Sequence, residues 1–162
     1  MNFIILILLL LIKTNHKKKI VLINMKGYTT MCGDLFHLGH IKFLEQAKKE
    51  CDYLIVGLPS DKDIMKYKLK KPILNISERK EIIEYCKFVD EVIINVPYLI
   101  DDEGLKKLNA DIFLYSTVDE KENKRYLDDF ILTKKRKKLE YTSGISTSQL
   151  RKRVIEYQKY SL

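Results

Sequence analysis

Unbroken apolar runs alternate along this chain with segments whose apolar residues recur at helical spacing. Ile20 to Thr29 contains β-branched and apolar residues and reads as the first strand, and Tyr53 to Leu58 is a continuous apolar run, as a strand buried on both faces should be. Glu91 to Val96 and Asp111 to Tyr115 read as a third and a fourth strand. Between them, Ile41, Leu44, Ala47 and Lys48 follow one another at helical spacing after His40. Pro59-Ser60-Asp61 ends the second strand and opens a short helical piece toward Tyr67, and the lysine-rich segment Lys66 to Lys71, closed by Pro72, reads as a loop. Asn75 with Glu78 forms a capping-box pattern ahead of Ile82, Ile83 and Cys86. Asp101-Asp102-Glu103 places acid in the first turn of a helix carrying Leu105 and Leu108. Ser146 with Gln149 is a second capping box, opening a helix with Leu150, Val154 and Tyr157. Residues 117–134 are charged and weakly periodic, with a helix expected around Lys124 to Phe130, and Leu139-Glu140-Tyr141 is expected as a short fifth strand.

This alternation predicts an α/β fold with a doubly wound parallel sheet and right-handed crossovers. Ligands of such sheets bind beyond the strand C-termini at the switch point, and two segments fall at such edges. One is Thr29 to His40, where a strand runs directly into a helix and two imidazoles flank Gly39. Free backbone N–H groups and the helix dipole make that junction an anion site, and histidines there supply donors able to carry a positive charge near neutral pH. The other is Gly144-Ile145-Ser146-Thr147-Ser148, at the start of the last helix.

At 162 residues the chain has the size of a single domain with a real core, and 46% hydrophobic with 32% charged residues excludes a disordered chain. The apolar run Phe3 to Ile12 is too short to span a membrane, and it has neither a basic segment before it nor a small-residue cleavage site after it. Two readings stay open for residues 1–18: a short membrane-attaching extension, or a segment outside the folded domain, with residues 19–162 as one domain. Weak membrane-surface association is expected, if anywhere, through residues 3–19. The net charge of +8 is concentrated at Lys17-Lys18-Lys19, Lys134 to Lys138 and Arg151-Lys152-Arg153, each read as solvated surface. Cys32, Cys51 and Cys86 form no CxxC spacing, which argues against a disulfide framework or zinc site and for a reducing, cytoplasmic setting. Cys51 and Cys86 are expected in the core.

The segment Asp34-Leu35-Phe36-His37-Leu38-Gly39-His40 resembles the HxGH signature of the nucleotidyltransferase superfamily, and Gly144 to Ser148 resembles the GIST[ST] signature of its cytidylyltransferase branch. Ser77-Glu78-Arg79 matches the ER element of that branch, and Lys87-Phe88-Val89-Asp90-Glu91-Val92 is similar to its R/K-aromatic-VDEV stretch. The ordered set covers about residues 20–158. The resemblance implies a Rossmann-like nucleotidyltransferase that joins CTP to a phosphorylated alcohol, releasing pyrophosphate and a CDP-alcohol for phospholipid synthesis. It implies His37 and His40 as donors to the phosphates in the transition state and Lys68 as a mobile-loop lysine reaching the acceptor phosphate and the α-phosphate. Nucleotide contacts are implied for Cys32, Gly33, Asp34, Gly39, Arg79, Thr142, Gly144, Ile145, Ser146 and Thr147. Mg²⁺ is implied with CTP, bridging the triphosphate, with no dedicated metal ligands in the chain. A homodimer is implied by the family alone, and no nucleic-acid partner is expected.

The acceptor is read from Asn95-Val96-Pro97-Tyr98, which resembles the phosphocholine and phosphoethanolamine enzymes, where an aromatic follows a proline. Tyr98 there faces an amine by cation–π attraction, and the Pro-Tyr pair favours phosphoethanolamine over phosphocholine. Some positions depart from the family pattern. Met31 and Gly33 replace a glycine and a phenylalanine, Tyr115-Ser116-Thr117 stands in place of HDD or GDD, and Tyr141-Thr142-Ser143 stands in place of Arg-Thr-Glu. A glycerol-3-phosphate or adenylyl-transferring relative is the enzyme alternative. A basic binding protein that keeps the fold without turnover is the alternative of another class.

Overall fold

The computed structural model describes residues 25–160. Among these residues the strands are β1 (Lys26–Thr30), β2 (Tyr53–Leu58), β3 (Glu91–Ile94), β4 (Ile112–Tyr115) and β5 (Arg136–Lys138). The helices are α1 (Leu38–Lys49), α2 (Asp61–Lys68), α3 (Ile76–Glu84), α4 (Asp102–Lys107), α5 (Glu120–Asp129) and α6 (Thr147–Gln158). All strand pairs are parallel, in the order β3-β2-β1-β4-β5, so the direction of winding reverses between β1 and β4. The expected doubly wound sheet is therefore present. Residues 1–18, and the part of the first strand expected over Ile20 to Asn24, lie outside the described residues.

Strand alternation builds two core layers, one on each face of the sheet. Leu54, Val56 and Leu58 of β2 and Leu114 of β4 pack with Leu44 and Ala47 of α1 and Ile83 of α3. Ile55, Phe113 and Tyr115 point the other way, toward Leu105 of α4, Ile131 and Tyr28. Each fully buried large aliphatic side chain contributes about 1.5–3 kcal/mol, so these layers hold the strand C-termini in fixed register. Cys51 and Cys86 are half-buried and pack against the first layer. No helix among the described residues is long and apolar enough to cross a membrane.

Three elements differ from expectation. The fifth strand is Arg136–Lys138, just before Leu139, with Phe113 opposite Arg136 and Tyr115 opposite Lys138. An edge strand needs no apolar alternation, and its lysines are satisfied laterally: Lys137 pairs with Glu50 at 2.5 Å and Lys138 with Glu120 at 2.7 Å. The expected loop over Lys66 to Lys71 begins only at Leu69, whose left-handed φ of 53° stops α2 after Lys68. The helix expected around Lys124 to Phe130 starts earlier, at Glu120, because Asp119 caps it by accepting the Glu122 N–H at 2.8 Å.

Candidate active site

A cavity of about 410 Å³ opens at the C-terminal ends of β1 and β4, at the switch point of the sheet. Its first wall is the loop between β1 and α1. Gly33 turns the chain there at φ +68°, and a Cβ on it would stand 2.6 Å from Ile83 Cδ1, so both conformation and space require glycine. The turn sends Asp34 inward, where it is 2% exposed. Its Oδ1 accepts the Ile73 and Leu74 N–H groups, each at 3.0 Å, and its Oδ2 accepts from Arg151 at 2.6 Å. The Asp34 carbonyl accepts from the Thr147 hydroxyl at 3.0 Å. One residue thus ties the β1–α1 loop, the segment after α2 and the start of α6 together. Burial raises its carboxyl pKa, but the Leu74 N–H, the Arg151 guanidinium and the Ile73 N–H outweigh that and leave it below the ordinary value.

His37 and His40 cap α1 with their own side chains. His37 Nδ1 accepts the Gly39 N–H at 3.1 Å, and His40 Nδ1 accepts the His37 N–H at 3.3 Å, a capping box built from two imidazoles. The rings lie 3.9 Å apart, and His40 also stacks on Phe36 at 5.4 Å and 5°. A nitrogen that accepts an N–H carries no proton, so each neutral ring holds its proton on Nε2. The positive charge expected near neutral pH is not held here. Burial, with a smaller push from His37 and Lys68, lowers His40 to about 3, and burial lowers His37 as well. Both rings therefore line the cavity as neutral Nε2–H donors. Gly39 lets the second wall close in, since a Cβ there would meet the His37 ring at 2.9 Å and the Ile145 carbonyl at 3.3 Å.

That second wall is the start of α6. Ile145, Ser146 and Thr147 line the cavity, and the Ser146 hydroxyl accepts the Gln149 N–H at 3.2 Å, one of the two hydrogen bonds of the expected capping box. The first-turn N–H groups of α1 and α6 thus converge on one space. Lys68, on the last turn of α2, lines the same cavity with no ion pair or hydrogen bond among the described residues. Cys32 and Thr142 line it too.

Three expected nucleotide contacts sit elsewhere. Arg79 is fully buried, donating to the Cys32 carbonyl at 2.7 Å, the Pro59 carbonyl at 3.1 Å and Asp61 at 2.6 Å. A guanidinium used in this way positions the loop after β1 and the loop after β2, and it does not line the cavity. Gly33, in the loop and against Ile83, and Gly144, at φ +91°, are both outside the cavity lining. Asp34 and Thr147 border the cavity with their side chains committed to each other's segments.

An aromatic cluster also lines the cavity. Tyr98, Tyr126 and Phe130 line it, with Tyr98 4.9 Å from Tyr67 and 5.7 Å from Phe130, and Tyr126 5.7 Å from Phe130. Tyr126, Phe130 and Arg151 also line the cavity, and no sequence motif points to them. Helix spacing carries the signal for each: Phe130, the C-cap of α5, is four beyond Tyr126, and Arg151 is four beyond Thr147 on α6.

Two helix N-termini, two neutral imidazole donors and a lysine around one space of an α/β domain are groups suited to a polyanion. The chain belongs to the cytidylyltransferase-like family, whose profile matches residues 32–153. It is 38% identical over 139 residues to a probable choline-phosphate cytidylyltransferase of Schizosaccharomyces pombe, covering 78% of this chain and 36% of that one. It is 37% identical over 102 residues to the ethanolamine-phosphate cytidylyltransferase of Dictyostelium discoideum, covering 63% of this chain and 27% of that one. An FAD synthase of Thermococcus sibiricus is 44% identical over 79 residues, covering 49% of this chain and 53% of that one. The chain thus spans only part of each of these relatives. In fold it matches the lipopolysaccharide core biosynthesis protein of Thermoplasma volcanium, with a TM-score of 0.57 at 24% identity over 74% of this chain and 98% of that one.

Proposed function

We propose that this domain transfers a cytidylyl group from CTP to a phosphorylated amino alcohol, phosphoethanolamine ahead of phosphocholine. The observation that carries the reading is one cavity lined both by the starts of α1 and α6, two imidazoles and Lys68, which suit phosphates, and by the clustered rings of Tyr98, Tyr126 and Phe130, which suit an amine. An acceptor phosphate is already ionised at neutral pH. Its oxygen attacks the α-phosphorus in line, the bond to the bridging oxygen of the β-phosphate breaks, and pyrophosphate leaves with that electron pair. No side-chain nucleophile is required, so catalysis consists of positioning and of neutralising growing charge.

The residues divide that work. His37 and His40 donate from Nε2 to the reacting phosphate oxygens, and being neutral at rest they need no rearrangement of charge before binding. The α6 N-terminus and the Ser146 hydroxyl take the leaving β- and γ-phosphates. Lys68 bridges the acceptor phosphate and the α-phosphate. Tyr98, with Tyr126 and Phe130, receives the amine on ring faces. Mg²⁺ enters as part of the MgCTP substrate. Among the described residues no group of three or more His, Cys, Asp or Glu is arranged as a metal site, and Asp34, one of the two carboxylates lining the cavity, has both oxygens hydrogen-bonded.

Pyrophosphate release from CTP or ATP with Mg²⁺, over a panel of phosphorylated alcohols, tests the reading. Turnover is expected with CTP and phosphoethanolamine, and absence of turnover with every pair overturns it. The FAD synthase relative favours adenylyl transfer as the second reading, and use of ATP in place of CTP would select it.

A further inference from the structure

We propose that Glu122 is the carboxylate that selects a cationic acceptor, neutralising an ammonium group held against Tyr126 and Phe130. The proposal rests on the amino-alcohol reading above and adds a residue that neither the motifs nor the family match assigns.

Three observations carry it. Two acidic residues line the cavity, Asp34 and Glu122, and only one has charge to offer a ligand. Asp34 is nearly inaccessible and spends both oxygens on Arg151, Ile73 and Leu74. Glu122 is half-exposed and uses only Oε2, which accepts the Val118 N–H at 2.6 Å. Its Oε1 has no hydrogen-bond or ion-pair partner among the described residues, and the Val118 contact holds the carboxylate in place without neutralising it.

The second observation is spacing. Glu122, Tyr126 and Phe130 follow one another at four-residue intervals along α5 and its C-cap, so one helix face brings a carboxylate and two rings to the same wall. The third is proximity: burial raises the Tyr126 phenol above its ordinary value, and the charge of Glu122 adds to that shift. Tyr126 already takes one cation, the Arg125 guanidinium 5.8 Å from its centroid. Aromatic faces and one carboxylate form a receptor for an ammonium, since rings alone bind any apolar group while the charge discriminates. An acceptor bearing only hydroxyls gains much less from that charge.

The test measures KM in the full 162-residue chain with Glu122→Gln, which keeps an oxygen for the Val118 N–H and removes only the charge. KM for phosphoethanolamine is expected to rise about tenfold or more, the scale of one charge-assisted contact. KM for CTP and the melting temperature are expected to stay unchanged, and Glu122→Asp is expected to restore part of the affinity. If the native chain turns over amine phosphates and Glu122→Gln leaves their KM unchanged, this proposal falls and the amino-alcohol reading stands. If KM for CTP rises in parallel, Glu122 acts through the fold and the selective role is overturned. A native chain that uses glycerol 3-phosphate and neither amine overturns both.

Discussion

Two helix N-termini meet at this cavity, and they are held there by different forces. The start of α1 is anchored from below: Leu44 and Ala47 are fully buried in the core layer, and the cap is made by the same histidines that face the cavity. The start of α6 has no buried residue in the whole helix, with Val154 and Ile155 each 58% exposed. It is docked by polar ties to Asp34, from the Thr147 hydroxyl and the Arg151 guanidinium, which also donates to the Lys71 carbonyl at 2.9 Å. The same electrostatic device is thus built once on packing and once on a buried carboxylate. The first holds while its imidazoles stay neutral; the second depends on an ion pair.

The largest break in that symmetry is expected from Asp34→Ala, which strands Arg151 and two backbone N–H groups. Loss of a buried partner costs about 3 kcal/mol or more. Urea unfolding reads it directly, and a midpoint shift worth under about 1 kcal/mol would show that α6 docks by other means. At the other helix, His40→Ala is expected to lower turnover by about 10² or more, as removal of one preorganised donor does. An unchanged rate of pyrophosphate release takes that imidazole out of the chemistry.

Arg151→Ala is expected to cost about 2 kcal/mol of stability, the scale of a charged hydrogen bond. Arg151→Lys should not recover it, because a point charge cannot serve both Asp34 and the Lys71 carbonyl as the guanidinium does. Full recovery by lysine would mean that charge alone docks the helix.

Acid probes both ends together. His40 has a folded pKa of about 3, below its ordinary 6.5, so its contribution is complete above about pH 6.5 and is lost as pH falls toward 3. Asp34 is also held below its ordinary value, so its contribution is present above the carboxylate range and lost on further acidification. Melting temperature followed from pH 7 downward is expected to fall in this order, and His40→Gln should flatten the first part of the curve. A curve unchanged by that substitution would place the acid sensitivity elsewhere. Ser146→Ala is the smallest perturbation, about 1 kcal/mol for one lost cap, and thermal melting measures it. A cost near zero would show that the polar ties to Asp34 alone hold the start of α6.

Much of the fold was legible because its signals are short-range. Tyr53 to Leu58 is the strand that its apolar run announces, and Asn75 with Glu78 closes the expected reciprocal box at 2.7 Å and 3.1 Å. β5 was misplaced because an edge strand of Arg136, Lys137 and Lys138 buries too little to leave a hydrophobic period. The motif implies Arg79 as a nucleotide contact, whereas the Cys32 and Pro59 carbonyls and the Asp61 carboxylate at the start of α2 claim its guanidinium. Its position on α3 was readable, but its partners were not.

By itself, the order of residues determined the alternation of strands and helices, the switch-point location of the site, and the two helix starts that carry His37, His40, Ser146 and Thr147. These follow from periodicity and capping, which act within a few residues. Only the tertiary structure decided that the histidines are neutral Nε2–H donors, that Asp34 meets Arg151 across 117 positions of sequence, and that one face of α5 joins the cavity. The protonation of a group and the use of its charge depend on what folding brings opposite it, and no local pattern encodes that neighbour.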